Sequence, residues 1–137
     1  MDRKRMARLQ RIVKVQRQQE EAIRYEISVA NADIHALEER AEDLTSQWGS
    51  HEGPLGEVVN QTIARKLKRA AAEKTRKQAR VKQLTDQLLG EKRKTTMAEK
   101  QHKEAKTDHD RNAERKSLME VAELQVLKQR SGRDKPR

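Results

Sequence analysis

The sequence predicts an all-α protein: a long antiparallel two-helix coiled-coil hairpin whose second helix overhangs the first. Three observations carry this. Apolar residues recur alternately three and four apart through the first third of the chain, Gly and Pro cluster at one main break, and aromatic side chains are nearly absent. One Trp, one Tyr and no Phe among 137 residues cannot seed a packed globule, because aromatics normally bury ~150–250 Å² each. With 39% charged residues, the open classes are disordered chain and extended helix. The periodicity selects helix.

Helix 1 is expected over about 4–48. Met6, Leu9, Val13, Gln16, Glu20, Ile23, Ile27, Ala30, Ile34, Leu37, Ala41, Leu44 and Trp48 form a heptad seam, apolar at eleven of its thirteen positions. A repeat sustained this long argues for a coiled coil over a lone amphipathic helix. Gln16 and Glu20 interrupt it, as seam polar residues do where register is fixed at a cost in stability. A turn follows at 49–54, within Gly49-Ser50-His51-Glu52-Gly53-Pro54-Leu55-Gly56. Gly permits positive φ there, and Pro54 disfavours helix just before it while suiting the first turn after it.

Helix 2 is expected over about 55–130, with a flexible basic tail at 131–137. Val59, Ile63, Leu67, Ala70, Val81, Leu84 and Leu88 make its seam, interrupted by Lys74 and Lys77. Gly90 is a weak spot of ~1 kcal/mol relative to Ala. From Gly90 to Ser117 the apolar residues are Met97, Ala98, Ala105 and Ala113, so this stretch reads as a poor and mobile helical partner. Leu118, Met119, Val121, Ala122, Leu124, Val126 and Leu127 then restore an apolar patch that needs burial. Either another protein covers it, or the last third folds back at Gly90 as a third helix.

Charge sets the pairing. Residues 1–19 carry seven Lys/Arg and one Asp, residues 20–48 two Lys/Arg and eight Asp/Glu, and residues 65–84 nine Lys/Arg and one Glu. Folding back at His51–Glu52 lays the acidic stretch along the basic one. A parallel homodimer would set acid beside acid. The expectation is therefore an intramolecular hairpin, monomeric near 16 kDa.

The net charge of +10 points to acidic partners without naming them. Cys is absent, which removes disulfides and thiol chemistry. No run of 18 apolar residues exists, and the basic start lacks the apolar core of a signal segment, so the expected location is the cytoplasm. No phosphate-cradling glycine loop, HExxH or GxSxG occurs. His102 and His109 lie seven apart, ~10 Å along a helix, too far for one metal ion; they read as solvated. His35 reads as a boundary residue and His51 as a turn residue. The carboxylates Glu38, Glu39, Glu42 and Asp43 lack a cleft to perturb them. Neither enzyme activity nor a cofactor is expected. The basic run Arg65–Lys82 has no interleaved aromatics for base stacking, so nucleic acid is the disfavoured alternative partner. A plain structural coiled-coil dimer is a third reading. Residues 3–17, with Met6, Leu9, Ile12, Val13 and Val15 among basic side chains, suit a membrane surface or an acidic protein groove.

Two stretches resemble a known family. Arg8-Leu9-Gln10-Arg11-Ile12-Val13-Lys14-Val15-Gln16-Arg17 is similar to the opening of the FliJ-like stalk proteins of flagellar and type III export systems. Asp110-Arg111-Asn112-Ala113-Glu114-Arg115-Lys116-Ser117-Leu118-Met119-Glu120-Val121-Ala122 is similar to their C-terminal pattern, with Met119 where an acidic residue is usual. The early turn and long second helix depart from the family's more even hairpin. The resemblance implies a peripheral stalk that binds and stimulates a hexameric export ATPase, contacts the membrane-embedded export gate and helps cycle export chaperones. It places the ATPase at the paired ends, on Arg8, Leu9, Arg11 and Ile12 with Arg115, Leu118, Val121 and Ala122. It leaves the turn end, near Trp48, His51 and Leu55, for the gate. Trp48 reads equally as a plug that closes the seam.

Overall fold

The computed structural model describes residues 2–133. Two helices, α1 (Asp2–Gln47) and α2 (Gly53–Arg133), pack against each other as an antiparallel hairpin, and the described residues contain no strand. α2 begins two residues before its expected start and runs through Gly90 to Arg133 without interruption. No third helix forms among the described residues. Residues 131–133 of the expected flexible tail are helical, and 134–137 lie outside the described residues. No helix of the described residues is long and apolar enough to cross a membrane.

Helix packing divides the chain into two compact units. The turn unit is Gln16–Arg93; the terminal unit is Met1–Val15 with Lys94–Arg137. In the turn unit, the residues of α1 that leave full exposure are Gln16, Glu20, Ile23, Ile27, Ala30, Ile34, Leu37, Ala41 and Leu44, together with Asp33. Apart from Asp33 these are the expected seam positions. The facing stripe of α2 runs Gly56, Asn60, Ile63, Leu67, Ala70, Lys74, Lys77, Val81, Leu84, Leu88 and Glu91, with Val59 and Gly90 half-buried beside it. Leu84, at 2% exposed, is the most buried side chain. Such helices depend on this packing, since propensity alone rarely holds an isolated helix in water. The polar seam positions are real: Glu20 is buried, and Gln16 Oε1 is buried without a hydrogen-bond partner.

The acidic-on-basic pairing occurs in this unit. Lys74 Nζ lies 3.1 Å from Glu38, Lys77 Nζ 3.2 Å from Asp33, and Arg80 Nη2 3.4 Å from Glu26. Lys74 and Lys77, which read as interruptions, hold half-buried stems on the seam and carry their ammonium groups out to the flanking carboxylates.

The turn spans Trp48 to Glu52. α1 stops because Gly49 takes φ +80°, the left-handed conformation that caps helices. Trp48 and Ser50 donate their N–H groups to the Thr45 and Gln47 carbonyls at 3.2 and 3.3 Å, and Asn60 Oδ1 accepts the Gly49 N–H at 3.3 Å. Gly56 is buried for a different reason: a Cβ there would stand 2.5 Å from the His51 carbonyl oxygen. Only a residue without a side chain lets the turn cross the first turn of α2 this closely.

The terminal unit corrects one expectation. The stretch after Gly90 is not a poor partner: Thr95, Ala98 and Ala105 are buried, and His102 and His109 are half-buried, all in 3–4 spacing. They face Met6, Leu9 and Val13 of α1. The large apolar side chains come from α1, while α2 supplies Ala, Thr and His, so a stretch with few large apolar residues still packs. Counting large apolar residues on α2 alone misses this.

Candidate partner-binding surface

The terminal unit carries most of the charge. Its two segments hold eighteen Lys/Arg and nine Asp/Glu, a net +9, whereas the turn unit holds fourteen against thirteen, a net +1. The opposed stretches 20–48 and 65–84 cancel within the turn unit. The basic start of α1 has no comparable acidic run opposite it in the terminal unit. Arg5 joins Ala105, Asp108, Arg111, Asn112 and Arg115 around a groove of about 250 Å³ between the two helices. Three Arg and one Asp thus line the groove at one level of the unit.

Arg5 marks where the start of α1 stands beside α2. From Arg111 to Ser131 every position of α2 is exposed. Leu118, at 68%, is among the most exposed, and Met119, Val121, Leu124, Val126 and Leu127 are exposed with it. Val121, Leu124, Gln125, Leu127, Lys128 and Ser131 outline a shallow open depression. This is the overhang expected from the sequence, and it is apolar on more than one face.

The expected contact residues fall into three places. Arg8, Arg11 and Ile12 are exposed on the paired part of α1, and Leu9 is half-buried on its seam. Arg115, Leu118, Val121 and Ala122 are exposed on the overhang. These two groups do not form one patch: about fifteen residues of α2 separate the level of Leu9 from Leu118, ~20 Å at ~1.5 Å per residue. Trp48, His51 and Leu55 are exposed in the turn unit. Trp48, at 52%, does not close the seam. The positive φ of Gly49 ends α1 at Gln47 and takes Trp48 out of the heptad phase.

The histidines also divide. His35 is exposed, with Nε2 3.1 Å from Glu39 Oε1 one turn on. His102 and His109 are half-buried rather than solvated, because the seam continues through them. Among the described residues no group of three His, Asp or Glu side chains converges as a metal site would require. Residue-by-residue reading missed the role of Arg5 and Asp108. The available signal was positional: Arg5 adjoins the seam residue Met6, and Arg111 and Arg115 share a face at i, i+4. It becomes legible only once the pairing register is known. No family model matches this chain, and neither does any curated protein or solved structure.

Proposed function

We propose that the protein is a non-enzymatic stalk and adaptor that binds and stimulates a hexameric flagellar or type III export ATPase, linking it to the export gate and to export chaperones. The observation that carries this reading is the bare continuation of α2, exposed from Arg111 to Ser131 and rich in apolar residues. An apolar helix end exposed on several sides is suited to a partner that surrounds it, as the bore of a ring does. The resemblance of both ends to FliJ-like proteins adds the identity of that ring. In this reading the chain acts in the cytoplasm at the export apparatus. The turn end, where Trp48, Leu55 and Val58 are exposed, meets the gate.

The test is an affinity capture from nuclease-treated native extract at ~0.15 M salt, where exposed charges are screened beyond ~8 Å, read by mass spectrometry. Recovery of a hexameric export ATPase, its regulator or the gate supports the stalk. Recovery of ribosomal or chromosomal proteins alone in a parallel capture from untreated extract, lost in the nuclease-treated one, rejects it in favour of a nucleic-acid-associated coiled coil.

A further inference from the structure

The Arg5, Arg111 and Arg115 groove lies directly before the apolar end of α2, within the same unit. We propose that it is a carboxylate-binding site, and that the surface it forms with Leu118–Leu127 takes an apolar protein groove rimmed by Asp and Glu. This rests on the reading of the α2 end as partner-facing and adds the chemistry of the partner.

The charge and shape observations select this occupant. The turn unit is electrically balanced and the terminal unit is not, so attraction for an acidic surface is concentrated here. Arg presents a planar fork of donors that matches a carboxylate in two parallel hydrogen bonds. Three Arg and one acidic residue, Asp108, line the groove, so among its lining residues basic groups outnumber acidic ones by two. Nucleic acid offers acidic groups but no apolar pocket for Leu118, Val121 and Leu124, and the terminal unit has no aromatic residue on which bases stack. An anionic bilayer offers a flat apolar layer, which covers only one side of a helix. Here the apolar residues occupy more than one side. A second copy would bring one +9 end against another.

The probe is a fluorescein-labelled helical peptide with one leucine face and one glutamate face, titrated into the full chain and followed by anisotropy. A peptide with lysine replacing glutamate, a single-stranded oligonucleotide of equal length and phosphatidylglycerol vesicles are titrated in parallel. The acidic peptide is expected to bind at least tenfold more tightly than its lysine counterpart. Arg111→Glu with Arg115→Glu is expected to weaken it tenfold or more, and the neutral pair Arg111→Gln with Arg115→Gln by an intermediate factor. Both positions are exposed, so helix content is expected to stay unchanged by circular dichroism. Equal binding of the acidic and basic peptides overturns the proposal. Tighter binding of oligonucleotide or vesicles, lost in the Arg variants, overturns it in favour of that class. A purified hexameric export ATPase separates this inference from the stalk reading. If the Arg variants bind it as the unchanged chain does at both 0.05 and 0.3 M salt, the carboxylate site fails and the stalk stands. If the ATPase never binds but the acidic peptide does, and loses affinity in the Arg variants, the stalk fails and the carboxylate site stands.

Discussion

Replacing Leu84 by Ala tests where the stability of the hairpin resides. Leu84 is 2% exposed in the turn unit, on the seam and beside Ala30. The change removes three carbon groups at ~0.8 kcal/mol each, about 2.4 kcal/mol of transfer free energy. A cavity term would raise this towards the upper part of the ~2–5 kcal/mol range for Leu→Ala. In a two-helix layer the void opens to water at its edges, so the cavity term is small. The expected loss is therefore ~2–3 kcal/mol. For a chain of this length that lowers Tm by roughly 6–12 °C, measured by circular dichroism at 222 nm on the full chain. Leu118→Ala is the internal control. At 68% exposed it has little burial to lose, and the expected shift is within ~0.5 kcal/mol. Equal shifts for the two variants would refute the reasoning, because they would mean that Leu118 is buried in solution or that Leu84 is not.

Other substitutions read other parts of the structure by the same thermal assay. Gly56→Ala forces a Cβ to within 2.5 Å of the His51 carbonyl oxygen and is expected to cost ~1–3 kcal/mol. Gly90→Ala meets nothing within 4 Å in a continuous helix and is expected to stabilise by ~0.5–1 kcal/mol; a loss would mean that Gly90 is not helical in solution. Reversing Asp33 and Glu38 together to Lys sets like charges beside Lys77 and Lys74. These pairs are about half exposed, so the expected cost is ~1–2 kcal/mol in low salt, shrinking towards zero by ~1 M. Gln16→Leu removes a buried oxygen that lacks a partner and is expected to raise stability by ~1 kcal/mol; light scattering checks whether the chain then self-associates.

The seam of α1 was legible residue by residue, because a heptad is a one-dimensional signal and each of its members reports its own burial. From Met6 to Leu44 the periodic positions all leave full exposure, and Asp33 alone joins them from outside the repeat. The alternation of charge along the chain likewise placed the acidic stretch 20–48 along the basic one. Glu38, Asp33 and Glu26 pair with Lys74, Lys77 and Arg80 there, in a register shifted by several residues at Glu38 from a fold at His51–Glu52. What escaped the sequence were features that depend on two segments at once. Thr95, Ala98, His102, Ala105 and His109 look polar or small in isolation, and they become a seam only with Met6, Leu9 and Val13 opposite. Trp48 continues the heptad by number, but the capping conformation of Gly49 intervenes. The Arg5–Asp108–Arg111–Arg115 groove needs the register before its members can be grouped. Arg115, Leu118, Val121 and Ala122 can be singled out one by one from the sequence, and their shared exposure follows from α1 pairing no further along α2 than the groove.

The central claim is that the exposed end of α2 is the surface a partner covers. Hydrogen–deuterium exchange on the full chain, with and without purified hexameric export ATPase, tests it directly. Exposed helix with nothing packed on it opens easily, so residues 111–131 are expected to exchange fastest within the helices of the free chain and to slow at least tenfold on binding. Residues 60–90 are expected to change little. Slowed exchange at 48–58 alone, or none anywhere despite binding, would contradict the account.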